Sequence, residues 1–146
     1  MRQLLMKVCV LLCLLGTWES RVAFAAEHLA SADAKQARAV VQAQLDALRT
    51  DDAAAAFALA APGIREQLGT PERFMAMVRA GYPMLIRPAS TSFLEPALID
   101  GNVTQGVRIT DATGAVWLAV YRLQRQPDQS WRIGACEVSR RAGQVI

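Results

Sequence analysis

The chain has 146 residues, of which 53% are hydrophobic and 20% charged, and its formal net charge is +3. This length predicts a single domain with its own core, and the scattered basic residues exclude a nucleic-acid surface of the usual basic kind. With His28 as its one histidine and no phosphate-binding glycine motif, the sequence predicts no metal site, no cofactor and no histidine-based triad.

The first 25 residues are predicted to be a secretory signal peptide rather than part of the fold. Arg2 and Lys7 give a positive start, residues 8–15 form a short apolar run, and residues 23–25 fit the small-x-small cleavage pattern. That run is too short to span a bilayer. We therefore expect cleavage after Ala25 and export to the periplasm or the medium.

Removal of this segment changes the charge and the cysteine count. Three of the 16 basic residues and one of the 13 acidic residues lie before the cleavage point, which leaves the mature chain near neutral at +1. Neither Cys9 nor Cys13 follows a small residue, as a lipoprotein signal requires, so no membrane anchor is expected after cleavage. The mature chain keeps only Cys136, and no disulfide within the chain is expected.

Residues 26–32 are predicted to be a flexible arm, and the first helix is predicted over residues 33–50. Asp33 followed by Gln36 resembles a capping box. Apolar residues recur at helical spacing along one face of this helix, namely Ala34, Ala37, Val41, Leu45 and Leu48. Gln44 lies within this stripe, and two interpretations stay open: its amide points into a cavity, or the side chain reaches outward or bonds a nearby carbonyl.

A second, alanine-rich helix is predicted to run to Ala60. Asp51 or Asp52 precedes it as the cap, because a short side chain with an acceptor oxygen satisfies the first free N–H groups of a helix. Residues 64–68 are predicted to form one further turn that Gly69 closes.

The third helix has the clearest boundary signals. Thr70 is the predicted cap, Pro71 takes the first helical position, and Gly81 follows the last turn. Residues 82–88 are predicted to be extended, since residues before a proline avoid the helical region. This segment would lead the chain from the helices to the sheet.

Four strands are predicted in an antiparallel meander, at residues 93–99, 103–110, 115–126 and 130–139. Turns at Asp100-Gly101, 111–114 and 127–129 separate them. If these turns set the register, one side of the sheet carries a row of Leu94, Val107, Leu118 and Val138, together with Cys136. We call this the predicted apolar face, and the helices are expected to cover it.

The order of helices, crossover and curved meander resembles the nuclear-transport-factor-2-like fold, also called SnoaL-like. The stretch Pro62-Gly63-Ile64, followed by Gly69-Thr70-Pro71-Glu72-Arg73-Phe74 and Tyr82-Pro83, is more specific. So is Tyr121 followed by Pro127-Asp128 and Ser130-Trp131-Arg132-Ile133. With these motifs the chain resembles, over about residues 34–140, a family of small exported bacterial proteins known only as domain-of-unknown-function family 4864.

This resemblance implies a fold and a compartment but no activity and no site residues. The expected fold is α+β, with three N-terminal helices packed on a curved, antiparallel four-stranded meander in a nuclear-transport-factor-2-like cone. One such domain is expected over residues 33–146.

The inner side of this cone is the first candidate site. Gln44, Gln105 and Cys136, with Tyr82 near the crossover, are the polar side chains that would line a small and mainly apolar ligand pocket. The alternative is a cone filled by core side chains. Since Cys136 lies on the predicted apolar face, an inert buried thiol is favoured over a reactive one.

The outer side of the sheet is the second candidate site. Phe93, Arg108, Trp117 and Tyr121 form the densest aromatic group there. Such a group forms the contact surface of a homodimer in one interpretation. In the other it is ordinary surface, with tryptophan covered by an arginine stem.

Taken together, these features predict an exported, non-catalytic domain that binds a small apolar ligand or a partner protein. The alternative is a cofactor-free SnoaL-like isomerase or hydrolase, which would use a lone carboxylate in the cone. No catalytic residue can be named from the sequence.

Overall fold

The structure, a computed structural model, describes residues 28–141. Within this range helices occupy the N-terminal side and a five-stranded antiparallel sheet follows, so the fold class is α+β. The helices are α1 (Ser31–Arg49), α2 (Ala53–Ala58), α3 (Pro62–Leu68) and α4 (Pro71–Gly81), and a 3-10 helix (Pro83–Leu85) follows them. The predicted signal peptide, residues 1–25, lies outside the described residues.

Helix α1 carries most of its predicted apolar stripe into the core. Four members of the stripe are buried, namely Ala37, Val41, Leu45 and Leu48. The helix begins at Ser31, inside the predicted arm, and no side chain caps it, so the predicted capping box at Asp33 was wrong. Asp33 instead forms an ion pair with Arg125 of the sheet, and the Trp131 indole nitrogen lies 3.4 Å from the same carboxylate.

The starts of α2 and α4 follow the predicted caps, whereas α3 begins at Pro62, two residues before the predicted turn, and has no side-chain cap. The Asp52 carboxylate accepts the Ala55 N–H at 3.0 Å, and the Thr70 hydroxyl accepts the Arg73 N–H at 3.2 Å. The predicted extended segment 82–88 is wrong at its start, because Pro83–Leu85 forms a 3-10 turn. Proline fits the first position of such a turn, where its missing N–H would have no partner.

The sheet consists of β1 (Ser90–Phe93), β2 (Ala97–Ile99), β3 (Asn102–Thr110), β4 (Val116–Arg125) and β5 (Trp131–Arg140). Strands β1, β3, β4 and β5 lie in this order, and β2 also pairs with β3. The predicted first strand, residues 93–99, is therefore two strands. The hydrogen-bond ladder with β3 is interrupted before Ala97, because Pro96 has no N–H to donate.

The register against β3 changes by one residue across this break. Phe93 pairs with Val107, whereas Leu98 pairs with Val103 as predicted. Because side chains alternate along a strand, this single step exchanges the sides taken by Phe93 and Leu94. Leu94 points away from the helices and is 44% exposed.

The turn between β3 and β4 is one residue longer than predicted, since Thr110 pairs with Val116. The Asp111 N–H donates to the Ala115 carbonyl at 2.9 Å, and Gly114 closes the turn with a φ of 85°. This conformation favours glycine. As a result Ala119 lies opposite Val107, one residue beyond the predicted partner.

Strand β5 contains a bulge at Gly134. Leu123 pairs with Ile133, but its neighbour Arg122 pairs with Ala135, which leaves Gly134 without an opposite residue. The predicted pairing of β4 with β5 is correct between their connecting turn and the bulge, and it is wrong by one residue beyond the bulge. Ile133 and Cys136 consequently share one side of the sheet although three positions separate them.

These shifts correct the predicted apolar face. Val107 and Val138 keep their predicted side, whereas Leu94 and Leu118 lie on the opposite one. The side that the helices cover carries a row of fully buried residues, namely Val103, Gln105, Val107, Ile109, Ala119, Tyr121 and Leu123. The helices thus cover one side of the sheet as expected, but with a different set of β4 residues.

Candidate functional site

A cavity of about 280 Å³ lies between the helices and the covered side of the sheet. Residues from α1, α3, α4 and β5 line it. Its apolar lining consists of Leu48, Ala60, Ile64, Leu68, Phe74, Met77, Val78, Leu85 and Ile133, and its polar lining of Gln44, Gln67, Tyr82 and Cys136. The cavity is partly open, and the exposed side chains Gln67 and Met77 mark its mouth.

The lining positions follow from local rules of helix and strand geometry. Gln44 and Leu48 are four residues apart on α1, and Phe74 and Val78 are four residues apart on α4, so each pair shares one helix face. On β5, the bulge turns Cys136 to the side that Ile133 occupies. Without that extra residue Cys136 would point to the outer side of the sheet.

The junction of α2 and α3 is joined directly to β5 beside the cavity. The Ala61 N–H donates to the Ile133 carbonyl at 2.8 Å, and the Ile133 N–H donates to the Leu59 carbonyl at 2.9 Å. These two bonds hold Ala60 against the strand. Helix α3 itself has no fully buried residue, and its Ile64 and Leu68 form one wall of the cavity.

Gln44 is the most deeply buried polar side chain in this lining, with 5% of its surface exposed. Its amide nitrogen donates to the Ala56 carbonyl at 3.3 Å. Its amide oxygen accepts no hydrogen bond from residues 28–141, yet it is not sealed inside the protein. Gln44 is at the same time one of the residues that line the cavity.

Cys136 contributes a neutral thiol to the wall. Burial raises the pKa of this thiol to about 12, although the nearby Tyr121 hydroxyl works in the opposite direction. The thiolate is the reactive form of cysteine. Cys136 is therefore an apolar wall residue with a weak donor rather than a nucleophile.

Tyr121 lies behind this wall, directly opposite Cys136 on β4. Burial raises the pKa of its hydroxyl well above the ordinary value. The hydroxyl has no partner at hydrogen-bonding distance and angle among residues 28–141. The Cys136 thiol is close enough to influence its pKa, but we assign no hydrogen bond between them because the geometry does not provide one.

Three of the four predicted ligand-binding residues, Gln44, Tyr82 and Cys136, line this one cavity. Gln105 does not. Its amide nitrogen donates to the carbonyl of Leu94 at 2.7 Å and to that of Gly106 at 2.9 Å. Gln105 thus secures the break between β1 and β2 from inside the core.

The predicted dimer face does not exist as a single surface. Phe93, Trp117 and Tyr121 lie on the covered side of the sheet, and Arg108 lies on the opposite side. The one-residue shifts in β1 and β4 separate them. Tyr121 is fully buried, and the Trp117 indole donates to the Asp111 carboxylate at 2.8 Å.

Sequence reasoning missed the mouth of the cavity. Ile64 and Leu68 were predicted only as one closing turn, although their i, i+4 spacing is typical of a helix face that contacts other apolar residues. Gly134 carried a second unused signal, since an isolated glycine in a strand pattern suggests a bulge. Either signal would have moved the predicted site toward α3 and β5.

The described part of the cavity lining contains no charged side chain. Residues 28–141 hold no group of three or more His, Cys, Asp or Glu that could bind a metal ion, and His28 is exposed ahead of α1. Across the same residues, no helix has the length and apolar character needed to cross a membrane.

Comparison with known proteins gives one match. The family model described as "Domain of unknown function (DUF4864)" matches residues 30–146. Neither curated proteins nor solved structures gave a match to this chain.

Proposed function

This chain belongs to the DUF4864 family of domains of unknown function, and we propose that it binds a small, mainly apolar ligand in the cavity between its helices and its sheet. The observation that carries the proposal is the cavity itself. Its volume of about 280 Å³ is close to the lower end of the usual range for ligand sites, about 300 Å³. An apolar cavity of about 150 Å³ already accommodates benzene.

The composition of the lining supports this proposal. Leu48, Val78 and Leu85 present aliphatic surface, while Gln44 and Tyr82 provide a few polar groups. This combination is typical of small-molecule sites, in which apolar surface provides affinity and a few polar groups orient the ligand. A two-ring aromatic compound or a short branched hydrocarbon matches such a lining in size and polarity.

The enzymatic alternative requires a carboxylate in the cone. A SnoaL-like isomerase or hydrolase without cofactor needs a base beside its substrate, but no Asp or Glu lines the described cavity. The thiol of Cys136 is held neutral by its raised pKa. No observation of this cavity therefore favours catalysis over binding.

Calorimetric titration with 2-methylnaphthalene tests the proposal. The wild type is expected to bind it, and Cys136→Phe is expected to lose this binding because the new ring occupies the cavity. The matched control is Val120→Phe, which adds the same kind of bulk on the opposite side of β4. Absence of binding to the wild type, or equal binding by both variants, would contradict the proposal.

We further propose that this α+β fold is a nuclear-transport-factor-2-like cone. Helices that cover one side of an antiparallel sheet and leave a cavity between the two layers support this assignment, as do the bulge at Gly134 and the break at Pro96, since such irregularities bend a sheet. An experimental structure in which the sheet is flat, with no cavity beneath α3 and α4, would contradict it.

We also propose export, with residues 1–25 acting as a cleaved signal peptide. The positive start, the short apolar run and the small residues at 23–25 support it. Expression in a bacterium with fractionation and intact-mass measurement tests it. The expected product is a periplasmic or secreted chain that begins at Ala26, and a full-length cytoplasmic chain would contradict the proposal.

A further inference from the structure

We infer that the ligand is a neutral molecule that donates one hydrogen bond, through a hydroxyl or N–H group, to the amide oxygen of Gln44. This inference rests on the proposed binding function and specifies the ligand class. Gln44 lies at the deep, α1 side of the cavity with 5% of its surface exposed. Among the polar side chains of the lining it is the most buried, and its amide oxygen has no hydrogen-bond partner among residues 28–141.

The orientation of the Gln44 amide follows from its one hydrogen bond. The amide nitrogen donates to the Ala56 carbonyl at 3.3 Å. A flipped amide would place two acceptor oxygens against each other, so the oxygen is left on the cavity side. A donor on the ligand would give this oxygen a partner, and one such hydrogen bond contributes a net of about 0.5–1.5 kcal/mol.

Neighbouring polar groups do not supply the donor that Gln44 requires. The Cys136 thiol is a weak donor and makes no hydrogen bond to Gln44, and neither does the Tyr82 hydroxyl. Gln67 is exposed at the mouth of the cavity, on α3. The ligand therefore places its polar group at the deep end and its apolar body between α4 and β5.

The absence of charge in the described lining determines the charge of the ligand. No arginine or lysine among the lining residues could neutralise an anion, and no carboxylate could neutralise a cation. Burial of an unpaired ion in an apolar site is strongly unfavourable. Carboxylates, sulfonates and amines of the same size should consequently be rejected.

Three naphthalenes of similar size test this inference by calorimetry on the full chain. They are 2-naphthol, which offers a donor, 2-methylnaphthalene, which offers none, and 2-naphthoate, which is an anion. We expect 2-naphthoate to bind at least about tenfold more weakly than 2-naphthol. Comparison of variants then isolates the hydrogen bond, because the different hydrophobicity of the ligands cancels.

Gln44→Met keeps the length of the side chain but removes the acceptor. The preference for 2-naphthol over 2-methylnaphthalene should fall by about 3- to 10-fold in this variant, as expected for one net hydrogen bond. Gln42→Met is the matched control and should keep the wild-type preference, because Gln42 is an exposed glutamine of the same helix and does not line the cavity. Gln44→Leu serves as a second variant if Gln44→Met does not fold, as judged by circular dichroism.

The outcomes separate this inference from the function on which it rests. If wild type binds 2-methylnaphthalene but Gln44→Met and Gln44→Leu keep the full preference for 2-naphthol, the ligand class is wrong and the binding function stands. Tight binding of 2-naphthoate would likewise overturn the ligand class alone. If none of the three compounds binds, the proposed function fails and this inference fails with it.

Discussion

Tyr121 on β4 lies directly opposite Cys136 on β5, on the side of the sheet that the helices cover. Tyr121 is fully buried in the core, and its neighbour Cys136 lines the wall of the cavity. Both are acids whose charged form is disfavoured by burial, which raises the pKa of each. This pair therefore makes the stability of the domain sensitive to alkaline pH.

The free energy of unfolding should fall as the pH rises above about 9. Cys136 has a pKa of about 12 in the folded protein against an ordinary value of 9.0. Between these values the unfolded chain releases a proton that the folded chain keeps, so alkali favours unfolding. Tyr121 adds to the fall above pH 10, because its pKa is also raised.

Urea titrations at pH 7.5, 9 and 10.5 measure this effect. The Cys136→Ala variant should lose less stability between pH 9 and 10.5 than the wild type, because only Tyr121 then contributes. Parallel pH profiles for the two proteins would show that the thiol ionises freely in the folded state.

Acid should destabilise the domain through the β3–β4 turn. The pKa of Asp111 is lowered from 3.8 to about 2, first by its hydrogen bond from the Thr113 hydroxyl and then by that from the Trp117 indole. A carboxylate with a depressed pKa stabilises the folded state above its unfolded pKa, and this contribution is lost as the pH falls from about 3.8 to 2. The pKa of Asp128 is lowered as well, chiefly by the Ser130 hydroxyl.

The Asp111→Asn variant isolates the first of these turns. Its unfolding free energy should vary less between pH 4 and pH 2 than that of the wild type, and the remaining variation should come partly from Asp128. Urea titrations across this range provide the measurement. An unchanged slope would mean that the Asp111 hydrogen bonds do not favour the ionised form.

Gln105 should matter for stability and not for ligand binding. Gln105→Met removes the two hydrogen bonds to the Leu94 and Gly106 carbonyls, and we expect a loss of about 1–3 kcal/mol in the free energy of unfolding. The control Gln42→Met alters an exposed glutamine and should change it by less than about 0.5 kcal/mol. A Gln105→Met variant with native stability but weakened binding of 2-methylnaphthalene would contradict this prediction and indicate that Gln105 takes part in ligand binding.

A side chain at position 134 should fit into the bulge only if the side chain of Gln124 moves aside. A Cβ atom at this position would lie 2.7 Å from the Gln124 amide nitrogen and 3.1 Å from its Cγ. Gly134→Ala is therefore expected to cost about 1 kcal/mol, and most of this cost should disappear in the Gln124→Ala background. Chemical denaturation of the single and double variants measures the coupling.

Gly63→Ala in α3 is the matched control for this experiment. A Cβ atom added at Gly63 would have no neighbour within 4 Å, and alanine restricts the unfolded chain, so stability should stay equal or rise by up to about 1 kcal/mol. Equal costs at both glycines would show that the contact with Gln124 does not determine the effect at the bulge.

Local signals in the sequence predicted most of the helical layer. Thr70 and Pro71 start α4 as expected, because capping depends on neighbouring residues alone. The apolar stripe of α1 was equally readable, because helical periodicity reports which face is buried. The 3-10 turn at Pro83 was missed, since proline is compatible with both an extended segment and the first position of a turn.

The register of the sheet was harder to predict because three local irregularities set it. The β3–β4 turn contains one residue more than predicted, the bulge at Gly134 inserts a residue, and Pro96 interrupts the first strand. Each shifts the pairing by one residue, and each shift exchanges the two sides of a strand. Cys136 was placed on the correct side, although its partner is Tyr121 rather than the predicted Val120.

Part of the candidate site could be predicted from the sequence, because helical periodicity indicates which residues share a buried face. Gln44 was marked by its place within an apolar helix stripe, and the structure gives it both of the roles that were left open: it bonds the Ala56 carbonyl and lines a cavity. The contribution of α3 depends on how this short helix packs. The spacing of Ile64 and Leu68 indicates an apolar face on α3, but which elements this face contacts depends on tertiary packing.

The most direct test of the binding function is nuclear Overhauser transfer from bound 2-methylnaphthalene to the methyl groups of the protein. We predict transfer to Leu48, Ile64 and Val78, which line the cavity. We predict none to Val116, Leu118 and Val120, which lie on the opposite side of the sheet. Transfer confined to that opposite side, or none to the cavity methyl groups from a ligand that binds, would contradict the account.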